Sequence, residues 1–238
     1  MNKFFIIGGG LTGLSCAYQL IQLEINPKLI YIFEARQEIG SPTRSPGLSL
    51  KTENFFNLYE NINFKSLSKI TLFNEYFIFR REWFEKSILI YLTNLGCNIN
   101  LKSKITEKKI EELIKKYGEE IKIINCAGNK RKSSGFPGDF TDFINTKNKL
   151  TNHKYPKLVK WYGYLLTNHR DFEIEKNQIS INKKDGLNET WIYNKEIKPD
   201  SDFKIIETMK STFPKDVENI LANNTIDRGF SLANKAMK

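Results

Sequence analysis

Phe4-Phe5-Ile6-Ile7-Gly8-Gly9-Gly10-Leu11-Thr12-Gly13 is the stretch that decides the fold of this 238-residue chain. Its apolar run predicts a short buried strand, and the apolar residues at helical spacing that follow it predict a helix. The glycines have the G-x-G-x-x-G spacing of a dinucleotide-binding turn. Gly8 permits the tight turn, Gly10 lets a pyrophosphate approach the backbone, and Gly13 lets the helix pack closely on the strand. We expect the anion to bind the free N–H groups at the helix N-terminus, from Leu11 to Gly13.

A carboxylate follows at the position where such a site needs one. Asn26-Pro27 ends the helix, because proline cannot continue it, and the apolar run from Leu29 to Phe33 predicts a second buried strand. Glu34 comes next, about 20 residues past the third glycine, where the ribose-binding acid of a dinucleotide site lies. A carboxylate there accepts both ribose hydroxyls and disfavours a 2′-phosphate. Strand, turn, helix, strand and acid in this order favour a dinucleotide site over a fortuitous glycine turn.

The composition narrows the class of protein. Three cysteines without C-x-x-C spacing favour a reducing compartment over a secreted disulfide scaffold, so we expect a cytoplasmic protein. Two histidines leave little for a metal site, and none is predicted. No run approaches the ~18 apolar residues of a membrane span. The net charge of +10 favours an anionic partner such as a nucleotide, a polyanion or nucleic acid, although a lysine-rich solvated surface is the simpler interpretation.

The first 150 residues alternate between helical and strand patterns. Residues 35–55 are irregular, which is typical of a functional loop, and Arg36 and Arg44 are placed to meet phosphate. A hairpin is predicted around Asn74-Glu75, and helices are predicted over residues 83–95 and 108–117. A further buried strand runs into Ala127-Gly128. We expect it to end at the same sheet edge as Gly8 and Glu34, where open α/β sheets bind ligands.

After about residue 150 the pattern changes to strands. Four β-rich segments separated by polar turns, between residues 161 and 193, predict a small antiparallel sheet. Their aromatic residues are candidates either for the core or for the wall of a substrate site: Trp161, Tyr162, Tyr164, Trp191 and Tyr193. Helices are predicted over residues 203–213, 217–222 and 230–237.

The order of these segments resembles that of flavin-dependent oxidoreductases of the p-hydroxybenzoate hydroxylase and geranylgeranyl reductase type. Residues 8–13 with Glu34-Ala35-Arg36 are similar to the unit of that family that binds the ADP part of FAD. Arg44-Ser45-Pro46-Gly47 resembles its arginine-containing loop, residues 81–85 resemble its R-x-x-F-D helix, and residues 123–128 resemble its strand that touches FAD. The resemblance covers residues 1–130 well and residues 160–195 loosely.

The resemblance also implies the remaining site residues. The family has a Gly-Asp segment after its second sheet, whereas the Gly138-Asp139 of this chain precedes that sheet. Asp227 is expected to replace the missing aspartate, and Gly229 the glycine that contacts the flavin. The expected cofactor-binding residues are therefore Gly8, Gly10, Leu11, Thr12, Gly13, Glu34, Ala35, Arg36, Arg44, Arg81, Ala127, Gly128 and Asp227. No catalytic acid or base is assigned.

We therefore expect an α/β protein with a Rossmann-like FAD/NAD(P)-binding domain and a smaller antiparallel sheet on the substrate side. The first domain would span residues 1–150, with the C-terminal helix of residues 225–238 returning to it, and the second residues 151–224. The expected function is FAD-dependent oxidation or reduction of a small organic substrate, an anionic one being favoured, by a monooxygenase or a reductase.

Three alternatives remain open. One is a flavin-dependent amine oxidase that acts on a modified nucleic acid or another polyanion-attached substrate. Another is a non-catalytic nucleotide-binding accessory protein, which the missing Gly-Asp segment and the lysine-rich surface suggest. The third is an NAD-dependent dehydrogenase, which Glu34 also fits but against which the Arg44 loop and the absence of Tyr-x-x-x-Lys argue.

Overall fold

The computed structural model describes residues 2–41, 44–62, 70–117, 121–127, 141–142, 151–152, 158–167, 172–197 and 203–238. The chain forms two compact units, each built from separate segments of sequence. The first unit consists of Met1–Ser41, Glu85–Tyr155 and Thr225–Lys238, and the second of Pro42–Phe84 and Pro156–Asn224.

The helices are α1 (Leu11–Gln22), α2 (Glu53–Asn61), α3 (Arg81–Asn94), α4 (Glu107–Tyr117) and α5 (Ala222–Met237), with short 3-10 turns at Pro27–Leu29 and Val217–Ile220. The strands are β1 (Lys3–Ile7), β2 (Ile30–Phe33), β3 (Leu48–Leu50), β4 (Thr71–Phe73), β5 (Tyr76–Ile78), β6 (Asn98–Asn100), β7 (Ile121–Asn125), β8 (Thr141–Asp142), β9 (Thr151–Asn152), β10 (Leu158–Leu166), β11 (Glu173–Glu175), β12 (Gln178–Asn182), β13 (Asn188–Tyr193) and β14 (Ile205–Pro214). None of these helices combines the length and the apolar character needed to cross a membrane.

A parallel sheet organises the first unit. Its strand order is β6-β2-β1-β7, and β1 pairs with β2 on one side and with β7 on the other. After β1 the chain forms β2 and β6 on one side of it and later forms β7 on the other side. The carboxyl end of β1 is therefore a topological switch point, where sheets of this kind bind ligands. Phe5 lies in the core of this unit, with its ring edge-to-face against Tyr31, Phe33 and Tyr117 at centroid distances of 5.1–5.5 Å.

Antiparallel sheets form the second unit. The larger has the order β11-β12-β13-β10-β14, and the smaller has the order β3-β5-β4. Trp161 and Trp191 are completely buried between these sheets' apolar residues, including Leu48 and Ile78. Gly163 lies opposite Trp191 in the ladder, and a Cβ there would come within 2.7 Å of the indole ring. The glycine at position 163 therefore makes room for the Trp191 ring.

The fold class is confirmed, and so are the hairpin at Asn74-Glu75 and the strands between residues 161 and 193. The helix predicted over residues 203–213 is wrong, because Ile205–Pro214 is a strand that pairs with β10 along nearly its whole length. The terminal helix is longer than predicted, since α5 begins at Ala222. The prediction also missed β3 and α2.

Candidate nucleotide-binding site

Gly8 fixes the turn at the end of β1. Its φ of +104° lies in the left-handed region that favours glycine, and its N–H donates to the Phe33 carbonyl at 2.8 Å. A Cβ at this position would lie 2.5 Å from the Cys126 carbonyl oxygen. The turn is therefore held between the ends of β2 and β7 and has no room for a side chain, as the sequence motif predicts.

Gly13 sets the approach of α1 to this turn. A Cβ there would lie only 1.9 Å from the Gly8 carbonyl oxygen, a backbone atom that has no freedom to rotate away. The helix can approach the strand this closely only with glycine at position 13, which is the role that the spacing predicts for the third glycine.

Gly10 differs from both, because none of the described residues requires a glycine there. It is the N-cap of α1, with φ −74° and ψ −179°, a conformation open to any residue. No described protein atom would lie within 4 Å of a Cβ at this position. A side chain would instead enter the open space in front of the helix, so the absence of one keeps that space free.

The N-terminus of α1 has the groups that bind an anion. Helix geometry leaves the N–H groups of Leu11, Thr12 and Gly13 without a partner inside the helix. Gly10 provides no side-chain cap, and the first turn contains no acidic residue. The positive end of the helix dipole therefore faces the space that Gly10 leaves open, an arrangement that stabilises phosphate groups.

Glu34 lies beside this helix end and is held by the backbone around it. Its carboxylate is 6% exposed; Oε2 accepts the Gly9 N–H at 2.8 Å, and Oε1 accepts the Arg36 N–H at 2.9 Å. Burial raises the pKa of Glu34, but the hydrogen bonds from Arg36 and Gly9 and the Arg36 charge together hold it below its ordinary value. Glu34 is therefore a fixed carboxylate, and its Oε2 retains capacity for a further hydrogen bond.

Arg36 is already engaged by its neighbour. Its Nε donates to Glu34 Oε1 at 3.0 Å, and its guanidinium also donates to the Ser41 carbonyl at 3.4 Å. In the structure this charge lies against Glu34, and the predicted contact between Arg36 and phosphate stays a prediction. Ala35, between the two, is exposed.

The end of β7 completes the sheet edge. The Cys126 N–H donates to the Ile7 carbonyl at 2.7 Å, and the Asn125 side chain accepts the Ala127 N–H at 3.1 Å. The structure thus brings Ala127 to the edge that carries Gly8 and Glu34. Gly128, which was predicted to contact the cofactor, lies outside the described residues.

Helix α5 packs on α1 at Gly229. A Cβ at Gly229 would lie 2.5 Å from the Thr12 carbonyl oxygen and 2.8 Å from the Ser15 Cβ, so the glycine allows the two helices to touch. This contact gives Gly229 a packing role. Asp227 is half-buried on the same helix, two residues earlier, and its role at the cofactor stays a prediction.

Two expected site residues belong to the second unit. Arg44 is exposed, and Arg81 is buried at the first position of α3. Their roles toward a cofactor stay predictions. The two tryptophans of this unit are core residues rather than a substrate wall, because both are completely buried. Their indole N–H groups donate inside the protein, from Trp161 to the Pro214 carbonyl at 3.1 Å and from Trp191 to Glu189 at 2.6 Å.

The sequence analysis missed a buried ion pair in the second unit. Lys183 and Glu189 are 5% and 7% exposed, and they contact each other directly. Burial lowers the pKa of Lys183, and the Glu189 charge opposes that shift. Half of this pair could have been predicted from the alternation of side chains along a strand. Glu189 and Trp191 are two residues apart and therefore lie on the same face of β13.

Neither a model of a known protein family nor a curated protein sequence matches this chain. Solved structures do share its fold. A geranylgeranyl bacteriochlorophyll reductase-like protein from Thermoplasma acidophilum is 11% identical with a TM-score of 0.62, over 98% of this chain and 77% of its own. A flavoprotein/dehydrogenase from Cytophaga hutchinsonii is 11% identical with a TM-score of 0.60, over the same shares of both chains.

A third structure, p-nitrophenol 4-monooxygenase from Pseudomonas putida, is 10% identical with a TM-score of 0.55, over 90% of this chain and 68% of its own. The chain spans 66% and 62% of two further matched structures. At these identities the likeness establishes the fold, a Rossmann-like α/β fold of the kind found in flavoproteins, with attached antiparallel sheets.

Proposed function

We propose that this chain is an FAD-dependent oxidoreductase that acts on a small organic substrate. The observation that carries the proposal is the open space at Gly10, in front of the uncapped N-terminus of α1 and beside the fixed carboxylate of Glu34. Gly8 and Gly13 are explained by protein packing, whereas none of the described residues requires a glycine at position 10, and the space in front of it is free to accept a ligand. A dinucleotide pyrophosphate fits its charge.

The described residues fit the ADP half of FAD. The N–H groups of Leu11, Thr12 and Gly13 would hold the pyrophosphate. Oε2 of Glu34 would accept a ribose hydroxyl, because it accepts one hydrogen bond from the described residues and has capacity for another. The remaining proposed contacts to the cofactor are Ala35, Arg36, Arg44, Arg81, Ala127, Gly128 and Asp227. When bound, FAD supplies the redox chemistry, and these residues bind and orient it.

The fold favours FAD over NAD as the resident cofactor. Glu34 suits either dinucleotide, since both carry an adenosine ribose with a free 2′-hydroxyl. The likeness to a flavoprotein/dehydrogenase, however, extends over 98% of this chain, including the antiparallel part that a bare dinucleotide domain lacks. We therefore propose that the first unit binds FAD and that the antiparallel sheet of residues 151–224 lies on the substrate side.

A monooxygenase or a reductase is the proposed reaction type, because the fold is shared with a reductase-like protein and with a monooxygenase. The net charge of +10 favours an anionic substrate and leaves association with a polyanion as a further proposal. A cytoplasmic location is proposed because none of the three cysteines, all of them buried, forms a disulfide.

Titration of the purified apoprotein with FAD tests the proposal. We expect saturable quenching of flavin fluorescence and a visible flavin spectrum that stays with the protein through gel filtration. NAD⁺ in excess should not displace it. Gly10→Ala is the matched control, since it fills the proposed site without touching protein. Failure of the wild-type protein to take up FAD under these conditions would refute the proposal.

Anaerobic mixing of the loaded protein with NADH or NADPH then separates the reaction classes. Bleaching of the flavin by either reductant supports a monooxygenase or a reductase. Bleaching by an added amine in place of both nicotinamides would favour an amine oxidase. A flavin reduced by dithionite alone would favour the accessory role.

A further inference from the structure

The buried pair Lys183–Glu189 replaces one backbone hydrogen bond where the ladder between β3 and β5 ends. Leu48 pairs with Ile78, so Gly47 and Phe79 are the next residues in register. The Phe79 N–H donates to the Gly47 carbonyl at 2.9 Å, as expected of a hydrogen-bonded pair in an antiparallel ladder. Such a pair normally exchanges two bonds, but here the second one is not made.

Two side chains of opposite charge take its place. The Gly47 N–H donates to Glu189 Oε1 at 3.2 Å, and the Lys183 ammonium donates to the Phe79 carbonyl. Lys183 and Glu189 contact each other as well, so the pair bridges the two backbones. Gly47 has no room for a side chain here, because a Cβ would lie 1.8 Å from the Phe79 carbonyl oxygen.

The bridged backbones are the two segments that carry the arginines of the proposed cofactor site. Gly47 comes three residues after Arg44, and Phe79 comes two residues before Arg81. The turn that follows Lys183 is fastened to the second segment too, since Asp185 forms an ion pair with Arg80 at 2.6 Å. The spacing of the two arginine-bearing segments is thus set at one point, by side chains from β13 and the turn before it.

Burying two charges in a protein core is costly, and the same volume of apolar side chains is often at least as stable. Stability alone is therefore a weak reason for this pair. The Glu189 carboxylate also accepts the Trp191 indole N–H at 2.6 Å, besides the Gly47 N–H. The two charged side chains and the Gly47 and Phe79 backbone groups thus have defined partners, and these contacts fix the distance between the two backbones.

We propose that Lys183 and Glu189 are positioning residues that hold the Arg44 and Arg81 segments in the spacing needed to bind the cofactor. This inference rests on the proposed function. It assigns no contact between the pair and FAD; the pair acts through Gly47 and Phe79.

Two uncharged double variants test the inference. Lys183→Met with Glu189→Gln removes both charges but keeps an oxygen that accepts the Gly47 and Trp191 N–H groups. Lys183→Met with Glu189→Met removes the charges and that acceptor. Neither leaves a lone buried charge, so both are expected to fold. Lys210→Met, which breaks the exposed ion pair with Glu196, is the surface control.

FAD dissociation constants are measured well below the melting temperature of each variant, together with amide hydrogen exchange of residues 44–48 and 79–81. We expect the Glu189→Met double variant to bind FAD at least tenfold more weakly than the Glu189→Gln double variant, with faster exchange in both segments. Lys210→Met should match the wild type.

Equal dissociation constants for the wild type and both double variants would overturn the inference, even if the melting temperatures fall, because the pair would then be merely structural. Equal weakening in the two double variants would also overturn it, since the Gly47 acceptor would have no effect. A wild-type protein that takes up no FAD would instead overturn the proposed function, and this role with it.

Discussion

Alanine at Gly10 and alanine at Gly13 should damage this protein in different ways, although each adds only one methyl group to the same glycine turn. At Gly13 the new Cβ would lie 1.9 Å from the Gly8 carbonyl oxygen, whereas at Gly10 no described atom lies within 4 Å. We therefore expect Gly13→Ala to lose stability and Gly10→Ala to lose affinity for FAD while remaining stable.

The magnitudes follow from these distances. Real Cβ contacts are essentially never shorter than 3.0 Å, so Gly13→Ala must push α1 away from the turn by about 1.1 Å. Overpacking of this kind costs about 1–3 kcal/mol. Gly10→Ala keeps an allowed backbone conformation, and its effect on unfolding should stay within about 0.5 kcal/mol. Loss of one or more charge-assisted hydrogen bonds to the pyrophosphate costs about 1.5–3 kcal/mol, or about 10–100-fold in affinity.

Urea denaturation of the apoproteins and fluorescence titration with FAD measure the two effects separately. A Gly10→Ala protein that binds FAD as tightly as the wild type would refute the prediction for position 10, because the open space would then not be the pyrophosphate site. A Gly10→Ala protein that is as unstable as Gly13→Ala would also contradict it, because the turn would then need glycine at position 10 for packing.

Two further predictions concern the first unit. Glu34→Gln should weaken FAD binding about tenfold and destabilise the apoprotein by about 1–2 kcal/mol at pH 7. The folded-state pKa of Glu34 lies below its ordinary value of 4.5. The stability that the Glu34 carboxylate contributes is therefore present above pH 4.5 and is lost as the pH falls through the folded-state pKa. Urea midpoints of both proteins should therefore converge below pH 4.5, and a constant gap down to pH 3 would show that the carboxylate charge does not matter. Gly229→Ala should lower the stability by about 1–3 kcal/mol, because its Cβ would meet the Thr12 carbonyl oxygen at 2.5 Å. Thermal melts measure this, with the exposed Ser231→Ala on the same helix as the control, and an unchanged melting temperature would argue against the contact between α1 and α5.

The sequence predicts the geometry of the sheet edge around Gly8 and Glu34 well, because that edge is built from local signals. The strand, the glycine turn, helix α1 and Glu34 all lie within about 30 residues, the length of one βαβ unit. Gly8 and Gly13 behave as the motif requires, and the carboxylate lies next to Gly9. Close backbone packing underlies these features, and it can be predicted from the fixed spacing of the glycines.

Features that depend on distant pairing were not predictable in the same way. Ile205, Met209 and Phe213 are spaced as on a helix, yet they form β14 because its backbone pairs with β10, about 40–55 residues earlier in the chain. The charge of Arg36 looked free in the sequence, but Glu34 holds it. Glu189 could have been assigned to the core from alternation with Trp191, whereas its partner Lys183 lies just beyond a strand, where alternation no longer applies.

The contact at Gly229 has a consequence for synthesis of the protein. It joins residues near position 12 to residues near position 229, so the glycine turn leaves the ribosome long before the helix that packs against it. At about 5–20 residues per second, that interval lasts roughly 10–40 seconds. A nascent chain stalled before residue 222 lacks α5, and it exposes the surface of Thr12 and Ser15 that α5 covers in the folded protein.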